Sequence, residues 1–141
     1  MVYVDTSALV PMFIREASSE AIVDWLESSA APLAISNWSL VEFASALAMK
    51  SRMGHTPPTL AERAAARLRA FTLEHCTVVT PRAQEFRRAA ELVFGAAMGL
   101  RAGDALHLAI AEAVDAREIL CLDQEMCDAA RGIGMSVVTI E

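Results

Sequence analysis

Lysine is almost missing from this 141-residue sequence: eleven of the twelve basic residues are arginine, and Lys50 is the exception. Arginine suits bidentate phosphate contacts, but a GC-rich genome yields the same bias, so the absence decides nothing by itself. An excess of basic charge is missing too. The formal net charge is −6, which argues against an ordinary basic nucleic-acid binder and leaves a local arginine patch as the route to phosphate. Long apolar runs are absent: the longest uncharged stretch, Ser28 to Val41, is 14 residues and is broken by Pro32 and Asn37. A spanning helix needs about 20. Asp5 interrupts any signal-peptide core, so a cytoplasmic protein is expected. Cysteine is scarce and odd in number. Cys76, Cys121 and Cys127 form no C-x-x-C pair and read as reduced, mostly buried thiols, against a zinc cluster. There are no repeats, linkers or low-complexity tracts.

What remains is a folding sequence. Hydrophobic residues make up 55% and charged residues 21%, outside the range of disorder. The length suits one domain, residues 1–141, burying roughly 70% of its unfolded surface. A mean hydropathy of +0.36 is high for a soluble monomer and points to apolar surface meeting a partner chain.

Short β-type runs alternate with longer helical ones. Val2–Val4, Leu33–Ile35, Thr77–Val79, Ile119–Leu122 and Ser136–Ile140 read as strands. Helices are expected over Ser7–Arg15, with Pro11 ending or kinking it, then Ser19–Ser28 and from a Ser36 or Asn37 cap to about Arg52. Further helices follow the Gly54–Thr59 turn to about Glu74, and span Pro81–Ala97, Ala105–Ala116 and Gln124–Arg131. Met98–Asp104, with two glycines, reads as a loop. Uniformly apolar strands alternating with helices imply a parallel α/β sheet covered on both faces.

Sites in such sheets form beyond the carboxyl ends of the strands. Asp5 ends the first strand, Asp123 follows the fourth, Glu42 lies inside the helix after the second, and Asp104 stands where a loop becomes helix. Singly, Asp5, Asp104 and Asp123 could each be helix N-caps worth roughly 1 kcal/mol. Glu42 completes a Ser39-x-x-Glu capping pattern, but Ser36 or Asn37 is the better cap and leaves Glu42 between apolar Val41 and Phe43. Together the four acids pose a cost, because two carboxylates ~5 Å apart repel by roughly 3 kcal/mol at an effective dielectric near 20. A divalent cation removes that cost. Acids without His or Cys around them favour Mg²⁺ or Mn²⁺ over Zn²⁺.

"VDTSAL" (Val4–Leu9), "SLVEFASAL" (Ser39–Leu47), "GDALHLAIA" (Gly103–Ala111) and "CLDQEM" (Cys121–Met126) resemble the four acidic motifs of the PIN-domain ribonucleases, most of all the VapC toxins of bacterial toxin–antitoxin pairs. The likeness runs in motif order over essentially the whole chain. It implies a PIN-like three-layer fold with a central, mostly parallel sheet. It implies that Asp5, Glu42, Asp104 and Asp123 form a metal-binding acidic pocket for Mg²⁺ or Mn²⁺, with Thr6 or Ser7 as a supporting hydroxyl. The implied activity is endonucleolytic RNA cleavage by a metal-activated water, in a homodimer inhibited by a small cognate antitoxin. One departure is Cys121, where the family often has Thr or Ser two positions before the fourth acid.

His107 lies three residues after Asp104, on the same helical side, and reads as a partly buried, hydrogen-bonded histidine more readily than as a ligand. His55 and His75 read as surface, and Glu112 and Asp115 as a solvated face. Arg82, Arg87, Arg88 and Arg101 could guide RNA or simply pair with acids; Arg101 has the best position for substrate contact. Phe13, Trp25, Trp38, Phe43, Met49 and Met53 read as mostly core. Two other functions compete: a phosphoryl-transfer α/β domain with an acidic pocket, and a non-catalytic binding module on the same fold. Ser7 stands where a haloacid-dehalogenase-like phosphatase needs a second Asp, and Lys50 is the only lysine available to a receiver domain, so both phosphoryl-transfer types are disfavoured.

Overall fold

The computed structural model describes residues 1–95 and 99–140. Five strands form one sheet in the order β3-β2-β1-β4-β5, every neighbouring pair parallel. They are β1 (Val2–Val4), β2 (Leu33–Ser36), β3 (Cys76–Val79), β4 (Glu118–Leu120) and β5 (Ser136–Val137). β1 is central, which explains why all three of its residues are apolar or aromatic and buried. The edge strand β3 has two exposed residues, as an edge position allows.

Strand alternation divides the core into two. Val2, Val4, Leu33, Ile35 and Leu120 point to one face, under α1 (Thr6–Leu9), α2 (Ser19–Ser28), α3 (Asn37–Arg52) and α4 (Pro58–His75). Tyr3, Ala34 and Ile119 point to the other, under α5 (Ala83–Gly95), α6 (Ala102–Ala113) and α7 (Gln124–Gly132). Among the described residues no helix is long and apolar enough to cross a membrane.

Several boundaries differ from the sequence expectation, each for a local reason. The helix expected over Ser7–Arg15 stops at Leu9 and tightens into a 3₁₀ turn, Val10–Met12; Pro11 has no N–H for the carbonyl of Ser7. β4 ends at Leu120 instead of Leu122, because the Leu122 N–H is taken by the Ser7 hydroxyl at 2.9 Å. β5 is accordingly shorter than Ser136–Ile140: its partner strand has ended, and Val138 N–H makes a last bond to the Ile119 carbonyl. The helix expected to reach Ala97 ends at Gly95, and residues 96–98 lie outside the described region, so the ends of that helix and of the Met98–Asp104 loop are judged only in part.

α6 is the informative shift. It starts at Ala102, not Ala105, so Gly103 is helical and Asp104 is the third residue of the helix rather than its cap. It also ends early, at Ala113. Asp115 takes a left-handed conformation (φ 54°), and Ala116 N–H closes back onto the Ala111 carbonyl at 3.0 Å, the helix stop usually built with glycine. Glu112 is not merely solvated: it takes a two-point ion pair from Arg88 at 2.7 and 3.0 Å, so Arg88 is held away from any role in guiding RNA.

Candidate active site

β1 delivers Asp5 to the carboxyl edge of the central strand. Asp5 is 4% exposed and caps α1, its Oδ2 accepting the Ser7 N–H at 3.0 Å and the Ser7 hydroxyl. The same Ser7 oxygen accepts the Leu122 N–H, tying Asp5 to the turn that carries the fourth acid. Asp123 caps α7, Oδ1 accepting Met126 N–H at 3.0 Å. Both aspartates therefore do what a cap does, and each caps with one oxygen, leaving the second out of the cap. Cys121 is buried and contributes only its carbonyl, 3.5 Å from Cys127 Sγ; support for Asp123 comes from backbone.

Ser36 ends β2 and caps α3 in a reciprocal pair with Ser39: Ser39 N–H donates to Ser36 Oγ and Ser36 N–H to Ser39 Oγ, both at 3.1 Å. That cap leaves Glu42 in the second turn. Its Oε2 accepts the Thr6 hydroxyl at 2.7 Å and lies 2.6 Å from His107 Nε2. A carboxylate can only accept, so that nitrogen carries the hydrogen. His107 Nε2 is also 3.4 Å from Asp5 Oδ1. Ligand atoms of Asp5, Glu42 and His107 all lie within 4.8 Å of one another.

Asp104 completes the rim from α6. It makes no side-chain hydrogen bond among the described residues, and its pKa is raised to about 6, first by burial and then by Asp5, Asp123 and Glu42. The charges of the other three acids thus reach Asp104. Glu42 moves the other way: burial works to raise its pKa, but the hydrogen bond and charge of His107, then the Thr6 hydroxyl and the Trp38 indole, outweigh it and hold it below the ordinary carboxylate value. The Trp38 Nε1 is buried and makes no hydrogen bond of full geometry among the described residues, so its effect on Glu42 is that of a nearby dipole.

Both hydroxyls of the Thr6–Ser7 pair are therefore used, one on Glu42 and one on Asp5. Arg101 is exposed at the N-cap of α6, three residues before Asp104. His107 is hydrogen-bonded as expected, but it is completely buried and touches two of the four acids. Tyr3 and Gly103 drew no notice in the sequence; the only advance signal for this cluster was the three-residue spacing of Asp104 and His107. Asp5, Glu42 and His107 form a group that could hold a metal ion, so the rim is not free of histidine as the sequence suggested. His107 Nε2 spends its hydrogen on Glu42, which leaves carboxylate oxygens as the donors, a set suited to a hard divalent cation.

The family model for the PIN domain matches residues 2–132, a span that contains all four acids. The chain belongs to the PIN domain family. Solved structures share the fold of this PIN domain. It is similar to VapC20 of Mycobacterium tuberculosis, a sarcin–ricin-loop cleaving toxin, at 20% identity and a TM-score of 0.74, covering 92% of this chain and 95% of that one. It is similar to a chain of VapBC2 from Rickettsia felis bound to promoter DNA, at 16% identity and TM-score 0.72, covering 100% of both. A chain of a toxin–antitoxin complex from Klebsiella pneumoniae aligns at 20% identity and TM-score 0.66, covering 99% and 97%. These likenesses establish the PIN fold. No curated protein sequence matches the chain.

Proposed function

We propose that this PIN domain is a metal-dependent endoribonuclease and the toxin of a toxin–antitoxin pair. The observation that carries the reading is the acidic cluster in which ligand atoms of Asp5, Glu42 and His107 lie within 4.8 Å of one another, beside an Asp104 whose pKa is raised to about 6 by burial and then by Asp5, Asp123 and Glu42. The similar structures, a sarcin–ricin-loop cleaving toxin and a toxin–antitoxin complex among them, support the substrate and the partner.

Asp5, Glu42, Asp104 and Asp123 would hold Mg²⁺ or Mn²⁺. When bound, such an ion supplies Lewis acidity toward water and neutralises charge on a phosphodiester. The chain's own residues prepare the site. Ser7 keeps one Asp5 oxygen engaged, Thr6 and His107 engage one Glu42 oxygen, and the Met126 N–H engages one Asp123 oxygen. The other oxygens of these three residues, with the Asp104 carboxylate, would be the ones offered to the cation. Arg101, exposed at the N-cap of α6 three residues before Asp104, would be the contact for an RNA phosphate, which an acidic chain of net charge −6 needs locally. A small antitoxin and a second copy of this chain are the expected protein partners.

The test is incubation of antitoxin-free protein with structured RNA in Mg²⁺, in Mn²⁺ and in EDTA. Cleavage is expected only with the divalent ions, and Asp5→Asn or Asp104→Asn abolishes it. RNA left intact under every divalent ion, or cleavage indifferent to Asp104→Asn, refutes the assignment and leaves a non-catalytic binding module.

A further inference from the structure

The only tyrosine of the chain is completely buried in the middle of the central strand. Its hydroxyl donates to Ser36 Oγ at 3.0 Å and lies 2.8 Å from His107 Nδ1. The opposite nitrogen of that ring reaches Glu42 Oε2 at 2.6 Å. One phenol oxygen therefore joins β1, the cap of α3 and α6, and the chain of contacts ends on a carboxylate. Burying a phenol and an imidazole is unfavourable unless both are hydrogen-bonded, and an apolar pair would fill the same space without that cost. The polar pair does something that packing does not require.

The other Glu42 oxygen meets a different constraint. A Cβ built on Gly103 would lie 2.8 Å from Glu42 Oε1 and 3.6 Å from Trp38 Nε1. Gly103 sits in the first turn of a helix, with no positive φ to call for glycine. The space left by the missing side chain is the space the Glu42 carboxylate occupies. Glu42 is thus held at Oε2 by His107 and Thr6 and accommodated at Oε1 by Gly103.

We propose that Tyr3, acting through His107, and Gly103 are positioning residues that hold the Glu42 carboxylate in the orientation needed to bind the divalent ion. The inference rests on the metal-dependent reading above and adds the residues that set the affinity of its site. Tyr3 and Gly103 touch neither the ion nor RNA. Their effect passes chiefly through Glu42, which His107 Nε2 meets at 2.6 Å against 3.4 Å to Asp5 Oδ1, and outer contacts of this kind change metal affinity by about 10–100-fold.

The test is Mn²⁺ binding to the full chain without RNA, followed by the electron paramagnetic resonance signal of free Mn²⁺. Thermal midpoints in EDTA are measured in parallel. Tyr3→Phe keeps the ring and removes the hydroxyl; it should weaken Mn²⁺ binding about 10-fold or more. Gly103→Ala should weaken binding while leaving the EDTA midpoint unchanged or raised, because Ala is the better helix former. A merely structural role predicts that affinity and stability fall together. In a Glu42→Gln background, neither substitution should lower Mn²⁺ affinity further, since the carboxylate they orient is gone. Wild-type binding that Tyr3→Phe and Gly103→Ala leave intact, or losses that add to that of Glu42→Gln, would overturn this inference while leaving the metal site standing. A wild-type chain that binds no Mn²⁺ would overturn both.

Discussion

Asp104 makes the stability of the metal-free protein depend on pH in a direction opposite to most carboxylates. Its folded pKa of about 6 lies above the ordinary 3.8, so the folded chain binds the proton more tightly than the unfolded one. Protonation therefore favours folding, and stability rises as pH falls through 6. Between pH 7.5 and 5 the linkage amounts to about 1.4 kcal/mol for a fully shielded group. Asp104 is only half-buried, and halving for solvent screening leaves about 0.7 kcal/mol. For a domain of this size that is a rise of about 2 °C in thermal midpoint. The window stops at pH 5 because Glu42, whose folded pKa is lowered, begins to lose its own contribution below its ordinary 4.5. The assay is differential scanning fluorimetry in EDTA on wild type and Asp104→Asn. The wild type should gain about 2 °C relative to the variant on going from pH 7.5 to 5. Saturating Mn²⁺ should reverse the trend, since the ion needs the deprotonated carboxylate. Equal slopes for the two proteins in EDTA, or an Mn²⁺ stabilisation that is flat from pH 5 to 7.5, would refute the reasoning.

Other substitutions test the scaffold around the site. Asp115→Gly should stabilise by about 0.5–1 kcal/mol in urea titration, because glycine takes the left-handed conformation without a Cβ penalty and removes a negative charge from a helix C-terminus. Ser36→Ala should cost about 1–2 kcal/mol through the lost α3 cap, seen as a lower urea midpoint at unchanged slope. Ile110→Ala, completely buried under the sheet, should cost about 2–5 kcal/mol by the same measurement.

Local chemistry made much of this molecule legible. Apolar runs of β type separated by amphipathic stretches sufficed for a parallel α/β fold. Capping rules offered Ser36 or Asn37 as the cap of α3, of which the structure uses Ser36, and either left Glu42 free for other work. Asp5 and Asp123 show why single-residue reasoning stalls, since each is both an N-cap and a member of the acidic rim, and nothing local separates the two roles. Gly103 misled for a physical reason. Two glycines within five residues, Gly99 and Gly103, read as a loop, yet Gly103 is helical and its missing side chain leaves room for a distant glutamate.

Sequence by itself determined the strand–helix alternation and the Asp5 and Asp123 caps where strands hand over to helices, because each of these depends on residues within a few positions of one another. The tertiary structure alone decided the strand order β3-β2-β1-β4-β5 and, with it, that Tyr3 meets a histidine 104 residues away. Alternation along β1 places Tyr3 on the face opposite Val2 and Val4, but which helix covers that face is set by how the whole sheet is wound. The hold on Glu42 is a meeting of β1, α3 and α6 that no local pattern encodes.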